Sequence, residues 1–289
     1  EMRGRMTDIL NPHIEHYYLT EEHKKAEYKS VSDLPKKIRL DACTICQLKC
    51  PKCYMVEHID KVLDKGCKKG FLKFENFKKL VDSFDFEEIE LSNSGEIFLN
   101  PDLKKIIRLA AFKNINLTAF NGVNFNYVSD NMLEMLVKYK FKGITFSIDG
   151  ASNETYKIYR KNGNFDKVII NIKKLNEIKE KYKSKFPILQ WQYIIFKHNI
   201  KEVEQAIHIA RNLNMTSIYF KEPWNKEITK YDSDFLYRFI PFKPFYDKDL
   251  QKILKDNEFD LCLQPWLAPQ INWDGKLLGC CCSTHNDLD

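Results

Sequence analysis

Between Leu34 and Glu222 the chain alternates two textures. Six short β-branched or apolar runs, "KIRLDA", "EIELSNSG", "INLTAFNG", "GITFSIDG", "ILQWQYIIF" and "SIYFKE", read as strands. Longer stretches between them, "FENFKKLVDSF", "PDLKKIIRLAAFK", "SDNMLEMLVKY", "FDKVIINIKKLNEIKEKY" and "IKEVEQAIHIARNL", repeat apolar residues at three and four and predict amphipathic helices. Asn100 followed by Pro101 predicts a capped helix start, and Ser129-Asp130 predicts another. Strands alternating with helices imply parallel βα units with right-handed crossovers, hence a doubly wound sheet or a partial barrel.

Either closure gathers functional groups beyond the C-terminal strand ends. Distinctive polar residues stand there: a cysteine loop after the first strand, Ser94-Gly95-Glu96 after the second, Asn121-Gly122 after the third and Asp149-Gly150 after the fourth. Turn chemistry alone also places Gly and Asp at strand ends, so the joint pattern carries the inference. Past residue 222 the alternation stops. Residues 223–260 read as an irregular connecting segment, with Phe235, Tyr237, Phe242 and Tyr246 expected to pack a domain junction or to line a substrate channel. Residues 261–289 begin a second unit, in which "PQINW" and "KLLGCC" flank Asp274-Gly275, a hairpin signal. Residues 1–36 form an N-terminal extension.

Composition narrows the class. With 289 residues, 44% hydrophobic and 30% charged, the chain reads as an ordinary globular protein. No run of about eighteen apolar residues and no apolar signal segment occurs, so neither membrane association nor export is expected, and the cytoplasm is the expected compartment. The net charge of +6 is spread along helix faces with acids interleaved, which gives no footprint for nucleic acid.

Nine cysteines, at 43, 46, 50, 53, 67, 262, 280, 281 and 282, fit a disulfide framework poorly. A zinc knuckle needs two ligand pairs from separated elements, whereas Cys43-x2-Cys46 and Cys50-x2-Cys53 lie three residues apart. A third grouping sets Cys43 aside, as apolar filling or a spare ligand, and keeps Cys46-x3-Cys50-x2-Cys53. Three thiolates hold three irons of a [4Fe–4S] cube and leave the fourth open.

That spacing, followed by Tyr54, resembles the signature of the radical S-adenosylmethionine (radical SAM) enzymes. Ser94-Gly95-Glu96 resembles the family's glycine-glycine-glutamate segment, which meets the methionyl amino group, with serine in place of the first glycine. "SIDGASNETYKIYR" is similar to the ribose-binding strand and following helix. The resemblance implies a partial (β/α)6 TIM-like barrel and cluster ligands Cys46, Cys50 and Cys53. It implies SAM contacts from Tyr54, Ser94, Gly95, Glu96 and Asn121, ribose contacts from Ser147 and Asp149, and a carboxylate contact from Arg160. In that chemistry one electron, from a donor such as flavodoxin or ferredoxin, cleaves SAM to a 5′-deoxyadenosyl radical that takes a substrate hydrogen under anaerobic conditions.

Cys262-x12-Gly275-x4-Cys280, with Pro265-Trp266, resembles the opening of the SPASM or twitch extension of these enzymes. It implies an auxiliary iron–sulfur cluster held by Cys262, Cys280 and Cys281, with Cys282 as the alternative to Cys281. The sequence ends seven residues after Cys282, so either the chain is cut short or the cluster is incomplete. Relatives with such extensions modify peptides or proteins, and others oxidise or rearrange small molecules such as aminocyclitols. The 36 residues before the first strand are fewer than a leader-recognition domain needs, which weighs against leader-guided modification without excluding it. An electron carrier or zinc scaffold is the reading from a different class, and it leaves the Ser94 and Ser147 segments without a use. Cys67 and His58, His198, His208 and His285 show no ligand spacing.

Overall fold

The computed structural model describes residues 35–51, 53–57, 69–221 and 268–279. Six strands form in the expected order: β1 (Lys37–Leu40), β2 (Glu88–Glu90), β3 (Asn116–Val123), β4 (Gly143–Ser147), β5 (Ile188–Ile194) and β6 (Ser217–Lys221). Each pairs in parallel with its sequence neighbour, giving the run β6-β5-β4-β3-β2-β1. The helices are α1 (Tyr54–Glu57), α2 (Phe74–Ser83), α3 (Leu103–Phe112), α4 (Asp130–Lys138), α5 (Asn153–Tyr159), α6 (Phe165–Lys181) and α7 (Val203–Asn212).

Two-residue periodicity sorts the strands into two faces. Ile38, Leu40, Ile89, Leu117, Ile144, Phe146, Leu189, Trp191 and Ile218 join helix residues such as Phe77, Ile106, Leu133 and Val168 in one buried core. The other set, Arg39, Glu90, Thr118, Thr145, Gln190, Gln192 and Ser217, is buried but polar. Burial of such groups is tolerable only with hydrogen bonds. Glu90 accepts from Thr118 Oγ1 (2.6 Å) and Phe120 N (2.8 Å), and Thr145 donates to Gln190 (3.1 Å). Tyr219 of β6 reaches Thr145 of β4 and lies in the field of Glu90 on β2. Lys221 at the end of β6 likewise feels Arg39 of β1, so the sheet curls until its first and last parallel strands face each other. This is the partial (β/α)6 barrel.

The Asp274-Gly275 hairpin forms between β7 (Gln270–Ile271) and β8 (Leu277–Gly279). β7 adds to the free edge of β1 in parallel, with Arg39 opposite Gln270, and so extends the barrel sheet itself. Ser129 caps α4 as expected by accepting from Met132 N. The regular turns of α3 begin at Leu103, with Asp102 at the N-cap position, two residues later than expected. Asn100 Oδ1 nevertheless accepts from Asp102 N (2.7 Å), as a capping oxygen does, while its Nδ2 donates inward to Ala42 O (2.7 Å) and Leu72 O (2.9 Å).

Candidate functional site

The loop after β1 is anchored at its base by Thr44 N on Gly70 O (3.1 Å). Its thiols meet different surroundings. Cys43 is buried and closes on its own loop, donating to Ile45 O and accepting from Ile45 N, both at 3.2 Å. Cys46 accepts from Leu48 N (3.4 Å) and Asn124 Nδ2 (3.6 Å). Cys50 accepts from Arg160 Nη1 at 3.8 Å. Cys53 follows through a turn in which its N–H donates to Cys50 O (3.2 Å), and Tyr54 opens α1. None of the four is in a disulfide. Burial pushes the Cys43 thiol up to about 11 and the Cys46 thiol up to about 12. Cys46 also senses Cys50 and Cys53, so these three thiols share one neighbourhood. Among the described residues no three His, Cys, Asp or Glu side chains converge as one metal ion would require.

The Ser94-Gly95-Glu96 turn lies against this loop. Gly95 has φ +63°, and a Cβ there would collide with Cys43 O and come within 2.7 Å of Ile45 O. Only glycine fits both the backbone conformation and the approach. Glu96 N then donates to Ile45 O (2.8 Å). The Glu96 carboxyl is buried and lies in the field of the Cys43 and Cys46 thiols: Oε2 accepts from Asn124 N (2.7 Å) and Oε1 from Phe98 N (3.3 Å). Burial pushes its pKa up to about 7. Glu96 thereby latches the β2 and β3 ends together. Ser94 bonds to Asp41, and Asn121 joins Arg39 (2.6 Å) to Asn93 (2.7 Å).

At the end of β4, Ser147 is buried on the polar face, and Gly122 (φ +115°) leaves room for its hydroxyl, which a Cβ would strike. The Asp149 side chain is fully buried and engaged within the protein. Oδ1 accepts from Ile194 N (2.6 Å), and Oδ2 pairs with Arg160 Nε (2.5 Å). Asp149 is the anchor of Arg160, and Arg160 faces Cys50.

Sequence reasoning missed Asn124, Gln47, Asn199 and Glu202. Gln47 Nε2 donates to Asn124 Oδ1 (2.9 Å), which orients the amide toward Cys46. Asn199, wholly buried, donates to Asp149 O (3.1 Å) and Ile194 O (2.9 Å). Glu202 accepts from Ala151 N (2.7 Å) and Ser152 Oγ (2.9 Å). The last two follow β5, where the strand-end rule was not applied. Cys67, Cys262, Cys280, Cys281, Cys282, His58, His285 and the aromatic segment around Phe235 lie outside the described residues.

A cysteine loop past β1 inside a curled six-strand parallel sheet defines a class, and the sequence profile of the Radical SAM superfamily matches residues 42–189. The chain belongs to that superfamily, whose enzymes use a [4Fe–4S] cluster and SAM. Two solved structures show the same fold at low identity. One is Streptococcus suis SuiB bound to precursor peptide SuiA (12% identity, TM-score 0.61, 88% of this chain and 64% of SuiB). The other is a polyhistidine-tagged anSMEcpe with bound AdoMet (19% identity, TM-score 0.57, 85% of this chain and 71% of that one). The chain thus spans under two thirds of SuiB. No curated protein matches significantly in sequence.

Proposed function

We propose that Cys46, Cys50 and Cys53 ligate three irons of the [4Fe–4S] cluster, and that the enzyme abstracts hydrogen from a peptide or protein substrate. The observation that carries this is the thiol loop with its oriented donors: Asn124 on Cys46 and Arg160 on Cys50. The donor set suits the cluster. The thiols are unbridged and close enough to feel one another, and buried thiols hold their protons until metal displaces them. Gln47 Oε1 and Asn93 Nδ2 are buried without partners among the described residues, which suits a polar ligand beside the loop.

When bound, the cluster and SAM supply reductive cleavage of the sulfonium bond and a 5′-deoxyadenosyl radical for hydrogen abstraction. The chain's residues bind and orient. Gly95 brings the second strand's loop onto the first, Ser147 and Asn121 offer polar groups at neighbouring strand ends, and the remaining Arg160 nitrogen offers a donor to a carboxylate. The peptide reading draws on fold relatives, SuiB bound to a precursor peptide and anSMEcpe bound to a peptide. Its test is label transfer. Reconstituted enzyme is given SAM, dithionite and side-chain-deuterated peptides or deuterated aminocyclitols. Deuterium in 5′-deoxyadenosine from peptides alone supports the reading; transfer from the cyclitols alone overturns it.

A further inference from the structure

Arg160 is held more firmly than a carboxylate-binding arginine needs to be. Its side chain is only 13% exposed and its Nε pairs at 2.5 Å with Asp149, which is itself fully buried. Ile194 N fixes Asp149 from β5, and Asn199 fixes the Asp149 carbonyl. The Tyr159 ring lies 5.2 Å from the guanidinium carbon. A backbone bond, Lys49 N to Lys161 O (3.0 Å), ties the residue before Cys50 to the residue after Arg160. The guanidinium cannot drift from the sulfur without breaking these contacts. Nη1 is directed at Cys50 Sγ, 3.8 Å away.

We propose that Arg160, positioned by Asp149, is a fixed donor to the Cys50 sulfur that makes the cluster held by this thiol easier to reduce. The proposal rests on Cys50 being a cluster ligand, as argued above. Hydrogen bonds to cluster sulfurs and nearby charge set reduction potentials. A cation held in a poorly hydrated site acts strongly on electron density next to it. Asp149 holds the Nε edge and leaves the Nη1 edge toward sulfur, so the pair presents its positive end to the cluster. Lysine, with one point charge and no fork, cannot serve both partners.

The experiment is a mediated dithionite titration of the reconstituted protein without SAM, followed by electron paramagnetic resonance. Dithionite supplies the single electron, and leaving SAM out removes any contribution from its carboxylate. Arg160→Gln is expected to lower the equilibrium constant for reduction about tenfold, equal to 59 mV for a one-electron couple. Arg160→Lys is expected to fall between it and the wild type. Equal midpoints in all three proteins overturn the proposal. If Arg160→Gln assembles no cluster, the lysine variant decides, and a wild-type midpoint there overturns it equally. Cys50→Ala separates the two levels: a variant that keeps the wild-type cluster signal removes the ligand reading and this inference with it.

Discussion

Cys43 and Cys50 are both buried thiols in one loop, yet one is closed on its own backbone and the other meets a cation from α5's end. We expect Cys50→Ala to lose cluster iron and 5′-deoxyadenosine formation together, and Cys43→Ala to keep both; iron analysis and chromatography of the products check this. Asp41 supplies a pH prediction. Burial pushes its pKa from 3.8 to about 6, against the opposing bonds from Gln270 and Ser94. The folded state therefore holds this proton more tightly than the unfolded chain does. The resulting stabilisation is complete below pH 4 and is lost as pH rises through about 6. Denaturant titrations from pH 4 to 7 should show wild-type stability falling relative to Asp41→Asn by on the order of 3 kcal/mol. A constant difference between the two proteins would rule this out. At this scale the sequence revealed which residue types stand at the strand ends but not their partners. The motifs name Asp149 and Glu96 by identity but not the protein partners their carboxylates hold, Ile194 and Arg160 for the first and Asn124 and Phe98 for the second.

Elements were more legible, because periodicity is a local property. The six strands and the helices between them fall where the apolar spacing puts them, and Ser129 caps α4. Ser129→Ala should cost about 1 kcal/mol in denaturant unfolding and leave cluster content unchanged. Asn100 shows the limit of local signals: its Oδ1 accepts from Asp102 N as the sequence pattern suggests, but the two distant carbonyls that take its Nδ2, Ala42 O and Leu72 O, leave no local trace. Gly95 couples two elements. Gly95→Ala puts a methyl against Cys43 O in a left-handed backbone position, with a strain on the order of 1–3 kcal/mol. Displacement of the thiol loop should follow, read as lower iron per chain after reconstitution. Wild-type iron loading in that variant would show that the loop tolerates the shift.

Across the whole molecule, helices cover an apolar outer sheet face and leave an inner face of Arg39, Glu90, Thr118, Thr145, Gln190 and Gln192 under the strand ends. The βα alternation foretold the parallel order, but the docking of β7 on β1 was not foretold. That pairing joins residues 39 and 270, and no local pattern reports a contact across most of the chain. Whether this barrel cleaves SAM at a cluster on its first loop is decided by one anaerobic assay. Protein reconstituted with iron and sulfide is given SAM and dithionite, and 5′-deoxyadenosine is quantified beside the Cys46→Ala, Cys50→Ala and Cys53→Ala variants. We expect dithionite-dependent product from the wild type and none from the three variants. A wild type loaded with cluster that forms no 5′-deoxyadenosine, or variants that form it at the wild-type rate, would contradict this.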